Sequence, residues 1–87
     1  MAAVNDVLAI GDDISPSFTP TENVSDVVIE GNGGGMIALQ CLVPSSSNWV
    51  TVSTQTGAFS ISTADVAILY RFKGSGLQSA VRCYIGP

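Results

Sequence analysis

Few side chains in this sequence could do chemistry: there are two cysteines, seven carboxylates and three bases, and no histidine. Histidine is the usual general base and the commonest metal ligand, so its absence removes most catalytic arrangements. Cys41 and Cys83 lack the histidine partner that activates a thiol nucleophile. Each lies on the apolar face of a predicted strand, which is typical of buried thiols acting as small hydrophobic side chains. We therefore predict no catalytic residue and no enzyme.

The motifs that could bind a cofactor or a metal are weak. Gly31–Gly35 (GNGGG) has the glycines of a phosphate-binding loop, but such a loop precedes a helix and usually a lysine, whereas a strand follows here. Asp12 and Asp13, with Asp26 or Glu30, could offer oxygen atoms to Ca²⁺, yet their spacing matches no EF-hand loop. The sequence therefore predicts a turn at GNGGG, no cofactor and no metal.

The charge of the chain argues against nucleic acid as a partner. The net charge is −4, and the only bases are Arg71, Lys73 and Arg82, too few for a phosphate-binding surface. No apolar run is long enough for a membrane-spanning helix, so no membrane is expected either. The acidic residues concentrate before residue 31 and the bases after residue 70. Either an acidic segment contacts a basic strand of a neighbouring copy, or the first and last strands pair within one chain.

The N-terminal residues indicate the cellular compartment in which the chain is expected to be made. MAAVNDVLAIGDD has no basic region before its apolar residues, so it does not predict a secretory signal. Synthesis in a cytoplasm is then expected, with Cys41 and Cys83 reduced, although the sequence leaves a disulfide between them open.

Short apolar–polar alternations separated by Gly, Pro, Ser and Asn predict an all-β fold. We expect a small antiparallel β-sandwich of about seven short strands, with a small β-barrel as the alternative. The predicted strands are Val7–Ile10, Ser25–Glu30, Met36–Val43, Trp49–Ser53, Ala58–Ser62, Ala67–Lys73 and Ala80–Ile85, with a hairpin turn at Gly74–Gly76 before the last.

Residues 1–23 are expected to form an extended N-terminal arm with one short strand, ahead of a sandwich domain at 24–87. Pro16 and Pro20 cannot lie inside a ladder and favour an extended chain. Ile14 and Phe18 could anchor this arm on a neighbouring copy or close one end of their own sandwich. On the first alternative, deleting residues 1–23 impairs assembly more than folding.

The composition favours a surface that other protein covers. Charged residues make up 11% of the chain, against about 25% in a typical soluble domain. Ser, Thr, Asn and Gly replace them, which suits a domain packed among neighbours; the alternative is a soluble domain with a neutral surface.

Residues 31–86 carry a distinctive order of features: GGGMIALQCLVPSSSNWVTV, then GAFSIST, YRFKGSG and a final VRCYIG. A glycine-rich turn, an ALQ strand, a polar loop, a W-V-x-V strand, a Y-R-F strand and a closing strand in this order resemble small β-sandwich domains of tailed-bacteriophage virions. The resemblance does not cover the residues before Gly31.

The resemblance implies a non-enzymatic structural protein of a virion, made in the host bacterial cytoplasm. A multi-copy capsid decoration (cement) protein is the first expectation, with a tail or head–tail accessory protein as the alternative. The partners would be the major capsid protein or tail proteins and other copies of the chain. A different class of function is a carbohydrate- or receptor-binding module that uses Trp49 and Tyr84 on one exposed face. The candidate assembly residues are Asp12, Asp13, Ile14, Phe18, Arg71, Lys73 and Arg82.

Overall fold

The computed structural model describes residues 4–43, 46–63 and 68–86, which form two antiparallel sheets. The strands are β1 (Val4–Leu8), β2 (Gly11–Ile14), β3 (Val24–Ile29), β4 (Met36–Val43), β5 (Asn48–Ser53), β6 (Gly57–Ser62), β7 (Tyr70–Leu77) and β8 (Val81–Gly86). Sheet I has the strand order β1-β8-β3-β6, and sheet II has the order β2-β7-β4-β5. The all-β sandwich is therefore confirmed, with eight strands in these described ranges, which divide between two sheets rather than closing into one. No helix long and apolar enough to cross a membrane occurs in the described residues.

The chain passes repeatedly between the two sheets. Only β4 and β5 follow one another within a sheet, whereas every other pair of consecutive strands changes sheet. Short connections at residues 9–10 and 54–56 hold β1 beside β2 and β5 beside β6. The edge strands β1 and β2 therefore lie on one side of the sandwich, and the edge strands β5 and β6 lie on the other.

The core lies between the sheets and is built from alternate residues of the strands. Ile37 and Leu39 of β4 point inward together, as predicted, and so do Val81, Cys83 and Ile85 of β8. The buried apolar cluster comprises Val4, Leu8, Phe18, Val27, Ile29, Ile37, Leu39, Tyr70, Phe72, Leu77, Val81, Cys83 and Ile85.

The segment before Val24 is held within the sandwich, which differs from the predicted extended arm. β1 pairs with β8 in sheet I, and β2 pairs with β7 in sheet II. Phe18 follows β2 and is fully buried, and its backbone N–H donates to the Tyr70 carbonyl at 2.7 Å. A Phe18 side chain enclosed in its own core cannot anchor a neighbouring copy, so that expectation is wrong. Closing one end of the same sandwich is the role observed.

Two glycine-rich stretches have different roles. The predicted turn at Gly31–Gly35 is confirmed: Gly33 and Gly34 have φ of +60° and +81°, and the turn carries the chain from sheet I to sheet II. The predicted turn at Gly74–Gly76 is wrong, because these residues continue β7 to Leu77. Gly74 is buried, and a Cβ atom there would lie 2.7 Å from Leu77 Cδ1. Glycine at this position permits close packing rather than a change of direction.

The predicted strand Ala67–Lys73 begins at a residue outside the described ranges. The described part of this strand starts at Tyr70 and places Tyr70 and Phe72 in the core, which is the face that the alternation predicts.

Candidate functional site

The acidic pair at the start of β2 is bound to backbone groups of its own chain. Asp13 accepts the N–H of Ala9 through Oδ2 and that of Ile14 through Oδ1, both at 2.9 Å. Asp12 Oδ1 accepts the Gly76 N–H at 2.8 Å. The bonds from Ala9 and then Ile14 lower the pKa of the Asp13 carboxyl below 3.8, because they favour the charged acceptor. Both carboxylates therefore stabilise the corner where the chain leaves β1 and enters β2.

Ile14 is the predicted apolar anchor that does reach the surface. It is 49% exposed and lies opposite Lys73 in the β2–β7 pair. Ile14 and Lys73 line a surface depression together with Asp12 and Asp13. The structure thus brings four of the seven predicted assembly residues to one place, at the edge of sheet II.

Acidic and basic strands meet within one chain. β1, which carries Asp6, pairs with β8, which carries Arg82, and the exposed Arg82 donates from Nη1 to Asn5 Oδ1 at 3.2 Å. Similarly, the acidic β2 pairs with the basic β7. Of the two alternatives that the charge distribution left open, pairing of the first and last strands within a chain is the one observed.

Arg71 forms a cluster with two neighbours on the outer face of sheet II. Its Nε donates to Gln40 Oε1 at 2.9 Å, and its Cζ lies 4.1 Å from the centroid of the Trp49 ring. A guanidinium over an indole face is a favourable cation–π geometry. Gln40 is 8% exposed although it points away from the core, and the long side chain of Arg71, from the neighbouring strand β7, bonds to it. The Nε of Arg71 and the Oε1 of Gln40 are thus bonded to one another.

The two aromatic residues considered for carbohydrate binding lie on opposite sides of the molecule. Trp49 pairs with Leu42 on the outer face of sheet II. Tyr84 lies between the inward-facing Cys83 and Ile85, so it points outward from sheet I. The core separates the two side chains. The expectation that Trp49 and Tyr84 share one exposed face is therefore wrong.

The two cysteines are free and belong to different sheets, Cys41 to β4 and Cys83 to β8. Cys83 is fully buried, and Cys41 is partly buried against the core. Burial, followed by the charges of Asp6 and Glu30, raises the pKa of the Cys83 thiol from 9.0 to about 12. A thiol that keeps its proton at neutral pH is a poor nucleophile and metal ligand. In the described part of the chain, no three His, Cys, Asp or Glu side chains are grouped to hold a metal ion.

We name the surface formed by the edge strands β5 and β6 the β5–β6 side; its apolar residues are Val50, Val52, Phe59 and Ile61. Val50 and Val52 are 46% and 48% exposed, and Phe59 and Ile61 are only partly buried although they point toward the core. Residues 31–64, which include both strands, contain no charged side chain. Neither strand contains proline. This side of the sandwich is consequently apolar, uncharged and incompletely closed.

The opposite side of the sandwich is closed and charged. Val4 and Leu8 of β1 are 8% and 0% exposed, so they seal the core. Asp6, Asp12 and Asp13 lie on the edge strands, and the β2–β7 register shifts between Gly11 and Asp13. Charges and irregular register are features by which natural sheets prevent their edges from pairing with other chains. β5 and β6 carry no such charges.

Sequence reasoning placed none of its assembly candidates on the β5–β6 side. The signal was present as the absence of charge between Glu30 and Asp65. The uncharged stretch indicates a surface only when the topology is known, because the topology shows that two of its strands, β5 and β6, are edge strands. The chain matches no protein-family model, and neither curated proteins nor solved structures give a significant match.

Proposed function

We propose that this protein is a non-enzymatic structural component of a bacteriophage virion, present in many copies as a capsid decoration (cement) protein. The observation that carries the proposal is the β5–β6 side, an apolar and uncharged surface with two free strand edges. A surface of this kind favours lasting contact with other protein, since edges left open in a free monomer promote uncontrolled pairing. The virion setting comes from the resemblance of residues 31–86 to small sandwich domains of tailed phages.

The polar side chains support a structural role over a catalytic one. Asp12 and Asp13 hold a corner of the chain, and Arg71 is bound to Gln40 and stacked on Trp49. The buried Cys83 thiol is protonated at neutral pH. Each of these groups has a partner or an environment that accounts for it without a substrate.

The test is a copy count in purified particles of the parent phage, followed by rebinding of the protein to particles that lack it. A decoration protein should be present in on the order of hundreds of copies per particle, because it follows the symmetry of the shell. It should also rebind to the depleted shell. About a dozen copies or fewer would instead assign it to the tail or the head–tail region. Absence of the protein from the particles would refute the virion role.

A further inference from the structure

We propose that two copies of this chain pair through the free edges of β6, which joins their two sheets I into one continuous sheet. The inference rests on the proposal that the protein assembles with copies of itself, and it specifies where the copies meet. Four features of the β5–β6 side support it: the direction of free backbone groups, the regularity of β6, its lack of charge and the apolar residues beside it.

The hydrogen bonds of β3 and β6 identify the backbone groups that remain free. Thr63 donates its N–H to the Asn23 carbonyl at 2.7 Å, in the same register as the strand pair. Because backbone groups of an antiparallel strand alternate in direction, every second residue of β6 points away from β3. These are Ala58, Ser60 and Ser62. Each presents an N–H and a C=O group at an edge that no described strand covers.

β6 is the more regular of the two edges on this side. Its register with β3 is unbroken from Val24↔Ser62 to Ile29↔Gly57. β5, by contrast, has a register shift at Leu39/Gln40 of β4, which interrupts the ladder. A flat and regular edge is the better template for an added strand, so β6 rather than β5 should pair.

The lack of charge favours an identical partner. In an antiparallel pair centred on Ser60, Ala58 of one copy opposes Ser62 of the other, and the two Ser60 residues oppose each other. A two-fold axis brings identical residues together, so a charge on this strand would face its own copy. β6 has none, and the outward side chains of Ala58, Ser60 and Ser62 are small enough for close approach.

The nearest acidic side chain does not oppose this pairing. Asp26 lies opposite Ser60 and accepts a hydrogen bond from its hydroxyl at 3.1 Å. In the paired sheet the two Asp26 residues would be three strand spacings apart, about 14 Å. That separation exceeds the screening length of about 8 Å at physiological salt.

The pairing would also close the open side of the core. Phe59 and Ile61 point toward the core but remain partly buried, because β6 is the last strand of its sheet. In the register centred on Ser60, Phe59 of one copy lies against Ile61 of the other. Removing both from water is favourable and adds to the backbone hydrogen bonds.

The experiment measures the dimer dissociation constant of the full chain by sedimentation equilibrium, with circular dichroism as a check of the fold. Ser60→Pro removes an N–H from the free edge, where proline is tolerated, without touching the β3 ladder. Ser60→Ala is its matched control, because it removes the hydroxyl bond to Asp26 and keeps the edge. We expect Ser60→Pro to weaken the dimer at least about tenfold and Ser60→Ala to leave it near wild type.

Ser60→Glu, with the neutral Ser60→Gln as its matched control, provides a second variant that keeps the backbone intact. It places two carboxylates directly opposite each other, because the two Ser60 residues face each other across the two-fold axis, and it should also weaken the dimer at least about tenfold. A wild-type chain that is monomeric in solution overturns the inference. So does a folded Ser60→Pro or Ser60→Glu variant that dimerises like wild type, and if Ser60→Pro does not fold, Ser60→Glu alone decides.

Failure of this inference can be told apart from failure of the proposed function. A protein that dimerises through β6 but is absent from phage particles keeps the inference and refutes the virion role. A protein that decorates particles equally well as wild type and as Ser60→Glu, and is monomeric in both forms, refutes the inference alone.

Discussion

Substitution of Leu39 tests whether its side chain faces the core from sheet II. It is fully buried in β4, and Leu39→Ala should lower the free energy of unfolding by about 2–5 kcal/mol through lost burial and a cavity. Met36→Ala is the matched control, since Met36 lies in the same strand and is 51% exposed; it should cost less than about 1 kcal/mol. Urea denaturation measures both. A Leu39→Ala loss below about 1 kcal/mol would contradict the assigned face.

Cys83 should give the folded protein a distinct alkaline pH dependence. Its thiol holds a proton up to about pH 12 when folded, whereas the unfolded thiol loses it near 9.0. Between these values the native state binds more protons, so the stabilising contribution is complete below pH 9.0 and declines toward 12. Denaturation at a series of pH values should show a smaller alkaline decline for Cys83→Ala than for wild type. Equal declines would contradict this account.

Thiol labelling of the native protein gives an independent readout of the same residue. Near neutral pH, Cys83 should react with a thiol reagent only after unfolding, because it is buried and protonated. Mass spectrometry of the labelled chain identifies the site. Rapid modification of Cys83 in folded protein would be inconsistent with its position in the core.

At the scale of the element, Asp13 should hold the start of β2 in place. Asp13→Ala removes the acceptor for two backbone N–H groups, those of Ala9 and Ile14. Hydrogen exchange at both amides should therefore accelerate, while the β4–β5 hairpin remains protected. Unchanged exchange at Ala9 and Ile14 would show that the carboxylate is dispensable.

Acid titration tests the same carboxylate. Its pKa is lowered in the folded state, so its contribution to stability is present above pH 3.8 and is lost as the pH falls further. NMR titration of the side chain should give a pKa below 3.8 in wild type. A value at or above 3.8 would contradict the two hydrogen bonds.

The alternation of apolar and polar residues predicted strands correctly where it also showed which face of the strand points inward. In β8 the apolar Val81, Cys83 and Ile85 recur at every second position and are buried. In β4 Ile37 and Leu39 are buried as predicted, but Ala38 and Gln40 of the opposite face are buried too. β2 has no such pattern, since its sequence is GDDI, and it becomes a strand through pairing with β7 and the bonds of its aspartates. Similarly, Gly74–Gly76 has the composition of a turn, and β7 continues through it because Gly74 and Ser75 pair with β4 and Leu77 pairs with Gly11 of β2.

At the scale of the whole molecule, local pattern could not show which strands are neighbours. Alternation tells which residues of a strand face the core, but it does not tell which sheet the strand joins. The open β5–β6 side follows from that assignment, because β5 and β6 end different sheets on the same side. Trp49 and Tyr84 are separated for the same reason, because their strands belong to different sheets. The inward residues of single strands could therefore be predicted from the sequence, whereas the surface proposed for assembly could not.

The N-terminal segment should be required for folding, which reverses the expectation for an arm that only links copies. Val4, Leu8 and Phe18 are buried in the core, and β1 and β2 pair with β8 and β7. A chain of residues 24–87 would expose the edges of both partner strands and leave a gap in the core, so it should lose cooperative unfolding. Small domains have little stability to spare, and three large apolar side chains cost about 2–5 kcal/mol each when removed.

Complementation separates this structural requirement from a general effect of truncation. Adding a peptide of residues 4–23 to the 24–87 fragment should restore the near-ultraviolet circular dichroism of the full chain, because the peptide supplies both missing strands. The same peptide with Leu8→Asp and Phe18→Asp should fail, since two buried carboxylates would replace core side chains. If the 24–87 fragment alone unfolds cooperatively with a native spectrum, residues 4–23 are an appendage after all, and a role in reaching a neighbouring copy becomes open to them again.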